Sequence, residues 1–547
     1  MTHKKHDFQS EQSKNGYQLL IITGKAAEPI VRKYIPKNAD ILVLPIDVAA
    51  FITGELILYY LSKEKAKQYD VILVPGLIVE DLSRASKKLD TPVVKGPRYI
   101  SDLPKLLEEI DLHKLSSKVS ADFLLKSQRE EEAKNILEEA YKRSISDQED
   151  EFLIGSSPGF PIGLSRPPII MAEIIDAPLL TTDEILRRTN YFLSHGAQII
   201  DIGAIARQAH PNKIREIINL IRETYQDKYQ FALSIDSMHE SDQIAALEMD
   251  VDLILSIDEG NIDFIAPKLP KDTAVVIIPT NIKKGLMSKT IDERIKVLFS
   301  LKKQLQDYGH QKIIADPILD IPIYPGITTS LATYYEFRQK DPKTPLFGCI
   351  GNVTEFIATD PIGINALFGC LAVELGIQLV LVTDSSVKCR GGIKEMTTAR
   401  DLAYVASIKK TPPKDQGIDL LMAKSRYDSE VISFNPKNSE IKTKYLKYNL
   451  KSNLTPKTDF VKDPRGSFVI WTNYENQEIN VVHLHPKTTK PDYHLISKKA
   501  APLLQEIIKK ELISKLDHAS YLGRELERAE ICLYLGKTYI QNEQVFN

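Results

Sequence analysis

Three aspartates lie within or at the end of short apolar segments in the middle of the chain. Asp201 lies in QIIDIG (198–203), Asp236 ends FALSID (231–236), and Asp316 lies in KIIADP (312–317). A helix-capping aspartate acts from the turn after a strand, whereas these three belong to the segments themselves. An ionised carboxylate can accept two parallel N–H bonds from a flat ring with a guanidine-like edge. The three residues therefore predict a site for such a heterocycle.

A metal site is the less favoured alternative for these carboxylates. No histidine accompanies them at suitable spacing, and neither an HExxH nor an HxH pattern falls in this region. We therefore predict no metal-ligating residues from the sequence alone.

Three other segments carry candidate side chains. DSSVKCRGG (384–392) combines Lys388 and Arg390 with two glycines, which favours binding of an anionic group through direct pairing and backbone N–H donors. LFGCIGNVTEF (346–356) ends its apolar part before the carboxamide of Asn352, and Asp258 follows LILSI (253–257). An ordinary surface loop or a helix cap is the alternative for each of these residues.

Eight apolar segments alternate with helical patterns, which predicts an α/β fold whose centre is a (β/α)8 TIM barrel. In TTDEILRRTNYFLSHG (181–196), for example, Thr181 and Glu184 have capping-box spacing and Gly196 stands at the C-terminal stop. A TIM barrel places its chemistry at the carboxyl ends of its strands, where the candidate residues lie. The predicted strands are 168–175, 198–203, 231–236, 253–257, 274–280, 312–317, 345–351 and 379–383.

Flanking patterns predict two further domains. Four apolar segments between residues 17 and 96 alternate with helical patterns, which favours a small parallel sheet without a GxGxxG dinucleotide motif. Two strand-like segments and a final amphipathic helix favour an α+β domain at the other end. We predict an N-terminal α/β domain (1–125), a helical connector (126–155), the barrel (156–412) and a C-terminal α+β domain (425–547).

Composition excludes several classes of protein. The chain has 547 residues, of which 43% are hydrophobic and 26% charged, and its net charge is −2. We therefore expect a soluble globular protein without a nucleic-acid or membrane partner. Four cysteines without CxxC spacing and a polar N-terminus without an apolar signal segment favour the cytoplasm.

Several motifs resemble the pterin-binding barrel enzymes. IIDIG and the segment SIDSMHESDQIAALEMDVDLILSID (234–258) resemble dihydropteroate synthases, whereas ADPILDIPIYPG and GCIGNVTEF resemble methyltetrahydropterin-dependent methyltransferases. NALFGCLAVELG, TDSSVKCRGG, DPRGSFVI and YLGRELERAEICLYLGKTY extend the resemblance over nearly the whole chain. Together they resemble the archaeal dihydropteroate synthase-related proteins, which join an N-terminal α/β domain, a pterin-binding barrel and a C-terminal domain of unknown function.

The resemblance implies specific roles for the candidate residues. Asp236 and Asp316 match the aspartates that hold the pyrimidine edge of the pterin, and Asp201 matches the aspartate of the IDIGG motif. Lys388 and Arg390 fall near the basic residue that binds diphosphate, although the local RxH pattern is missing. Both relatives usually carry an asparagine on strand 4, where this chain has Leu255, and Asp258 or Asn261 from the next turn is the expected substitute. Asn352 stands where synthases carry a lysine.

Three functions remain open at this stage. The first is a synthase of folate- or tetrahydromethanopterin-type cofactor biosynthesis, which joins a dihydropterin-methyl diphosphate to an arylamine. Lys388, Arg390 and a family-implied Mg²⁺ would serve the leaving group. The second is methyl transfer from a reduced pterin to a corrinoid or another acceptor, with Asn352 near N5 of the ring. The third is a non-catalytic pterin-binding protein. A homodimer is also expected.

Overall fold

A computed structural model describes residues 17–36, 39–98, 100–143, 145, 151–155, 159–414, 416–423, 463–543 and 545. These residues fall into two compact units. One contains the described residues up to 135 together with 416–423, and the other contains those from 136 to 414 together with the C-terminal residues from 463 onward.

The N-terminal unit contains the expected parallel sheet. Its four strands have the order β2-β1-β3-β4 and are parallel throughout. The alternating helices bury the apolar strand residues on both faces, as the near-continuous apolar segments predict. The strands are β1 Leu19–Gly24, β2 Ala39–Leu44, β3 Val71–Val74 and β4 Val93–Lys95, and the helices are α1 Glu28–Tyr34, α2 Gly54–Tyr60, α3 Lys63–Ala66, α4 Ser83–Leu89 and α5 Leu103–Glu109. A sixth helix, α6 Ala121–Lys142, begins in this unit and extends beyond residue 135 into the second.

The second unit contains a closed barrel of eight parallel strands, which confirms the predicted TIM barrel. A hairpin of β5 Phe152–Ile154 and β6 Phe160–Ile162 precedes it, and a second hairpin of β12 Thr280–Asn281 and β13 Leu286–Met287 lies after its fifth strand. The barrel strands are β7 Ile169–Ile174, β8 Ile199–Gly203, β9 Ala232–Asp236, β10 Leu253–Ile257, β11 Ala274–Ile277, β14 Ile313–Ala315, β15 Leu346–Cys349 and β16 Ile377–Val382.

Helices between the barrel strands cover its outer surface. The helix after β7 begins with the predicted capping box, in which Thr181 and Glu184 exchange side-chain and backbone hydrogen bonds. Gly196 follows this helix with a φ of +103°, a backbone conformation that favours glycine. The helices are α7 Thr182–Ser194, α8 Pro211–Tyr225, α9 Glu240–Leu247, α10 Ile262–Ile265, α11 Ile291–Asp307, α12 Ile327–Lys340, α13 Gly351–Thr354, α14 Ile362–Leu375 and α15 Gly392–Lys409.

Large apolar side chains fill the barrel interior. Met171, Leu255, Phe347 and Leu381 belong to this buried cluster. The β5–β6 hairpin contributes Ile154 and other apolar residues to the same cluster, so it closes the amino end of the barrel. Because the amino end is closed by packing, the carboxyl end is the open mouth, as in other barrels of this class.

The C-terminal domain is α+β, as predicted, and has one more strand than the sequence suggested. Its antiparallel sheet has the order β17-β18-β19. The third strand begins at Pro491 and has mostly exposed side chains, so its apolar pattern is weak. The elements are β17 Ser467–Asn473, β18 Glu478–Leu484, β19 Pro491–Ser497, α16 Ala500–Lys509 and α17 Leu516–Leu535. Of all the helices described, none is both long and apolar enough to cross a membrane.

Candidate functional site

Because side chains alternate between the two faces of each strand, several acidic side chains point into the barrel mouth. Successive inward-facing positions are two residues apart, so Glu173 follows the core residue Met171 on β7 and Asp201 follows Ile199 on β8. Glu173 and Asp201 are also direct partners in the β7–β8 pairing. Both carboxyl groups therefore lie in the layer immediately above the apolar core.

Glu173, Asp201 and Asp236 form a three-carboxyl cluster. The three offer oxygen atoms that all lie within 4.8 Å of one another. Asp201 is completely buried and accepts a hydrogen bond from the Ser234 hydroxyl through Oδ1. Its Oδ2 has no hydrogen-bond partner among the described residues. The cluster thus presents an unsatisfied buried acceptor, which costs free energy unless a proton, a cation or a ligand donor meets it.

Crowding of these carboxyl groups disfavours their ionisation. Burial, followed by the charges of Asp236 and Asp176, raises the pKa of Glu173 to about 8. Burial and the neighbouring carboxylates of Asp236 and Glu173 raise the pKa of Asp201 well above its ordinary value. Burial also raises the pKa of Asp236 to about 6. The cluster therefore favours a bound proton or cation near neutral pH.

Asp316 lies just beyond the end of β14, in the same mouth. Its Oδ1 accepts hydrogen bonds from the Ile318 backbone N–H at 2.8 Å and the Tyr334 hydroxyl at 3.3 Å. Burial nevertheless outweighs these bonds and raises the pKa of Asp316 to about 7. The following loop is fixed by a buried ion pair, in which Arg294 Nη2 lies 2.8 Å from Asp320 Oδ2. Asp316 is therefore held in a rigid position.

Asn352 is the second residue of α13. The preceding strand, β15, ends at Cys349 and does not extend through Gly351 as predicted. A Cβ on Gly351 would lie 2.7 Å from the Thr383 hydroxyl, so close approach of the β16 end explains the glycine better than a tight turn does. The Asn352 carboxamide donates a hydrogen bond to the Leu319 carbonyl at 2.8 Å. This bond joins the loops after β14 and β15.

The carboxyl group of Asp258 accepts four hydrogen bonds from groups within the protein. Its Oδ1 accepts bonds from the backbone N–H groups of Gly260 and Asn261, and its Oδ2 accepts bonds from the Thr280 hydroxyl and the Ile282 N–H at 3.0 and 2.7 Å. Both oxygens thus join the loops that follow β10 and β11. These bonds give Asp258 a role in loop structure, and its expected role in pterin binding stays a prediction.

Lys388 is likewise engaged. Its ammonium group donates hydrogen bonds to the carbonyls of Thr354, Glu355 and Ile357, the latter two at 2.9 and 2.6 Å. Three donors and three carbonyl acceptors leave no N–H for an anion, because an ammonium group has three in all. In this arrangement Lys388 satisfies the end of α13, and its expected role at a leaving group stays a prediction that requires one of these bonds to break.

Arg390 remains available and lines a cleft at the β7–β16 side of the mouth. The cleft is lined by Glu173, Arg187, Arg188, Tyr191, Phe192, Asp384, Ser385, Ser386, Val387, Arg390, Tyr474 and Glu475. Arg188 and Arg390 form no ion pair within the described part of the chain, whereas Arg187 pairs with Glu475. Two arginines without carboxylate partners therefore adjoin the acidic cluster through Glu173.

A tyrosine and an aspartate form the floor of this cleft. The Tyr191 hydroxyl donates to Asp384 Oδ2 at 3.1 Å, and the Gly391 backbone N–H donates to the same carboxyl group at 3.0 Å. Burial raises the pKa of Asp384 to about 7 in spite of these bonds. The first helix of the barrel and the loop after its last strand are thereby joined.

Sequence reasoning missed four residues of this arrangement: Glu173, Arg188, Tyr191 and Tyr474. Glu173 could have been found, because it lies two residues after Met171 in an otherwise apolar strand. Arg188 and Tyr191 are ordinary residues of an amphipathic helix, and Tyr474 belongs to another domain. Nothing in their local patterns distinguishes them.

Comparisons with known proteins agree with this architecture. Residues 176–329 match the family model "Pterin binding enzyme", residues 17–98 match a family of unknown function (DUF6513), and residues 462–542 match the PterinBD-DUF4346 family. An uncharacterized protein of Methanocaldococcus jannaschii is 34% identical over 541 residues, which are 97% of this chain and 99% of that protein. The chain belongs to the same family. This is the family of archaeal dihydropteroate synthase-related proteins that the motifs indicate.

Solved structures of dihydropteroate synthases are similar to part of this chain. The enzyme of Yersinia pestis is 18% identical, with a TM-score of 0.36 over 48% of this chain and 100% of that chain. The Vibrio fischeri enzyme is 16% identical, with a TM-score of 0.37 over 48% and 100% of the two chains. The Coxiella burnetii enzyme, solved with pteroic acid, is 19% identical, with a TM-score of 0.34 over 44% and 94%.

Proposed function

We propose that this protein is a pterin-dependent transferase that condenses a dihydropterin-methyl diphosphate with an arylamine. The observation that carries the proposal is the adjacency of two subsites in one mouth. Asp236 and Asp316 supply acceptors for a ring, and the arginine-lined cleft reaches the same mouth at Glu173. The product would be a pterin–arylamine adduct of the kind found in folate- and methanopterin-type cofactors.

Ring recognition rests on Asp236 and Asp316. The pyrimidine edge of a pterin presents neighbouring N–H donors, and a carboxylate accepts two such bonds in parallel. Burial of Asp316 strengthens these bonds because the local dielectric constant is low. The fixed loop from Asp316 to Asp320 adds geometric precision, since Arg294 and Ser330 hold its far end.

The transfer itself needs positioning more than acid–base catalysis. The arylamine nitrogen donates its lone pair to the methylene carbon attached to the ring, and a C–N bond forms. The C–O bond to diphosphate breaks, its electron pair leaves with the diphosphate, and the amine loses one proton to solvent. Arg390 and Arg188 would stabilise the charge that develops on the leaving oxygen, while the aspartates keep the ring in line with the acceptor.

The family implies Mg²⁺ with the diphosphate, and the three-carboxyl cluster fits such an ion. Mg²⁺ prefers oxygen ligands, and Asp201 Oδ2 is a buried acceptor without a partner among the described residues. Glu173 and Asp236 complete a set of three oxygen donors. When bound there, the ion would neutralise charge on the leaving group. Asp236 would then serve both the ring and the ion.

The direct test is a condensation assay with the purified full-length protein. Dihydropterin-methyl diphosphate, 4-aminobenzoate or another arylamine, and Mg²⁺ are supplied, and the adduct and released pyrophosphate are measured together. We expect equal amounts of the two products, and we expect Asp316→Asn to abolish most of both. Pyrophosphate release without an adduct, for a panel of arylamines, would contradict the synthase proposal.

Methyl transfer from a reduced pterin is the second candidate, because two groups suit it. Asn352 lies on α13, just after the carboxyl end of β15. One N–H of its carboxamide donates to the Leu319 carbonyl, and the second N–H could donate to N5 of the ring. The carboxyl group of Glu173 has a pKa of about 8 and so can hold a proton at neutral pH. This candidate predicts loss of the methyl group from a methyl-tetrahydropterin when a reduced corrinoid is supplied, with no arylamine required.

A further inference from the structure

The β17–β18 turn of the C-terminal domain lies against the barrel mouth and is rigidly built. Asn473 Oδ1 accepts the Asn476 backbone N–H at 3.1 Å, and Gln477 donates to the Tyr474 carbonyl through its backbone N–H at 3.1 Å and its side-chain Nε2 at 2.6 Å. These hydrogen bonds lie within the turn and fix its backbone conformation. Tyr474 and Glu475 are therefore presented to the barrel by a preorganised element.

Tyr474 and Glu475 reach residues that line the cleft. The Tyr474 ring centre lies 5.1 Å from the guanidinium carbon of Arg390 and 6.3 Å from the ring centre of Tyr191. Glu475 forms an ion pair with Arg187 on α7. The turn thus contacts both the helix after β7 and the loop after β16, which are the two sides of the cleft.

Two glycines show how closely the C-terminal domain approaches the loop after β16. A Cβ on Gly391 would lie 3.0 Å from the Tyr474 hydroxyl oxygen, and a Cβ on Gly536, after α17, would lie 3.1 Å from the Arg390 carbonyl oxygen. Both glycines have positive φ angles, of +92° and +69°. The C-terminal domain therefore packs against the Arg390 segment at two separate points.

We infer that the β17–β18 turn forms the outer wall of the diphosphate subsite, with Tyr474 as the positioning residue that holds Arg390 toward the anion. A flexible arginine side chain loses rotamer freedom when it binds an anion, and stacking on an aromatic ring removes part of that freedom beforehand. Glu475 engages Arg187, so the two arginines left without carboxylate partners in the described structure, Arg188 and Arg390, face the ligand.

This inference rests on the proposed function and gives the C-terminal domain a role in it. The barrel alone provides the ring subsite, but one wall of the anion subsite comes from a domain that follows the barrel in the chain. Removal of that wall would expose the arginines to water and weaken their attraction for the diphosphate. The C-terminal domain is thus expected to affect affinity for the anion and to leave affinity for a free pterin unchanged.

The test measures binding of inorganic pyrophosphate with Mg²⁺ by calorimetry, using the full-length protein. We expect Tyr474→Leu to weaken binding about tenfold through loss of the stacked arginine, and Tyr474→Phe to restore it to within about twofold. Tyr493→Leu is the matched control, because Tyr493 lies in the same domain with Lys510 Nζ at 5.2 Å from its ring centre, away from the cleft. It should bind like the wild type.

A charge-swapped pair keeps the test decisive if Tyr474→Leu fails to fold. Arg187→Glu should weaken pyrophosphate binding, because it breaks the ion pair to Glu475 and adds negative charge to the cleft. The double variant Arg187→Glu/Glu475→Arg should recover most of the wild-type affinity because the ion pair is re-formed in reverse.

Three results would overturn the inference. The first is an unchanged pyrophosphate affinity in Tyr474→Leu or, where that variant does not fold, no recovery of affinity in the double charge variant. The second is a wild-type protein that binds no pyrophosphate. The third is weakened binding of 4-aminobenzoate by Tyr474→Leu with unchanged pyrophosphate binding. That result would show that the turn lines the arylamine subsite. The condensation assay decides the proposed function separately, since it detects the adduct whether or not the turn contributes.

Discussion

Glu173 and Asp201 lie opposite each other on neighbouring strands, and their carboxyl oxygens approach within 4.8 Å of each other and of Asp236. Neighbouring inward positions on adjacent barrel strands normally hold apolar side chains that pack together. Three acids at this level are unfavourable for the free protein, because like charges at short distance and burial both oppose ionisation. Such an arrangement is expected where a ligand or an ion compensates for it.

Glu173→Gln should separate the cost of the crowded acids to the free protein from their contribution to ligand binding. Removal of one of three crowded acidic groups should raise the melting temperature of the free protein at neutral pH. The same change should weaken Mg²⁺-dependent pyrophosphate binding about tenfold or more, because one anionic oxygen ligand is lost. Thermal unfolding and calorimetry measure the two quantities. A lower melting temperature with unchanged binding would contradict this account of the cluster.

Asp316 should give the stability of the free protein a defined pH dependence. Burial raises its pKa from 3.8 to about 7, so the folded free protein holds a proton that the unfolded chain has released. The contribution of this group to stability therefore falls as pH rises from 3.8 to about 7, by at most about 1.4 kcal/mol per pH unit. Asp316→Asn should flatten this part of the profile.

Ring binding should show the opposite trend with pH. The ionised form of Asp316 accepts the charge-assisted bonds from the ring, so wild-type affinity for a reduced pterin should increase as pH rises toward and past about 7. Calorimetric titrations between pH 5.5 and pH 8.5, a span of about three units around that pKa, would show this. The same profile in Asp316→Asn would remove Asp316 from ring binding.

The buried pair of Arg294 and Asp320 should be important for stability. Their side chains are 4% and 6% exposed, and Asp320 also accepts a bond from the Ser330 hydroxyl. Asp320→Asn should cost about 3 kcal/mol of unfolding free energy, because it leaves a buried guanidinium without its counter-charge. Glu216→Gln removes an exposed ion pair to Lys213 and should cost less than about 1 kcal/mol. Equal losses in the two variants would contradict the assignment.

Lys388 and Arg390 should behave differently although they are two residues apart. Lys388→Met removes three bonds to backbone carbonyls and should destabilise the fold by about 1–3 kcal/mol, with pyrophosphate affinity unchanged in the folded protein. Arg390→Gln should leave stability nearly unchanged and weaken pyrophosphate binding. Denaturant unfolding and calorimetry on both variants measure this contrast, and the reverse outcome would assign the anion to Lys388.

Much of the fold was predictable because it depends on local patterns. The eight barrel strands coincide with apolar segments of strand length, and two helices between them, α7 and α11, begin with capping boxes. Strand ends were less predictable, as at Gly351, where contact with Thr383 and not local sequence decides the conformation. The third strand of the C-terminal sheet escaped detection because most of its side chains face solvent.

The site was only partly predictable, for a physical reason. Asp201, Asp236 and Asp316 are carboxylates inside apolar segments, which is a signal that a single sequence carries. Whether a polar side chain is available for a ligand depends on partners that are distant in the chain. Asp258 and Lys388 satisfy loop backbone from such distances, and Tyr474 reaches Arg390 from another domain.

The central claim is that the barrel mouth holds the ring of a reduced pterin through Asp236 and Asp316. Calorimetric titration of a dihydropterin into the wild-type protein, Asp316→Asn and Asp236→Asn at pH 8 tests it most directly. The account predicts measurable binding to the wild type and a loss of about tenfold or more in each variant. Wild-type affinity retained in both variants, or no binding to the wild type, would contradict it.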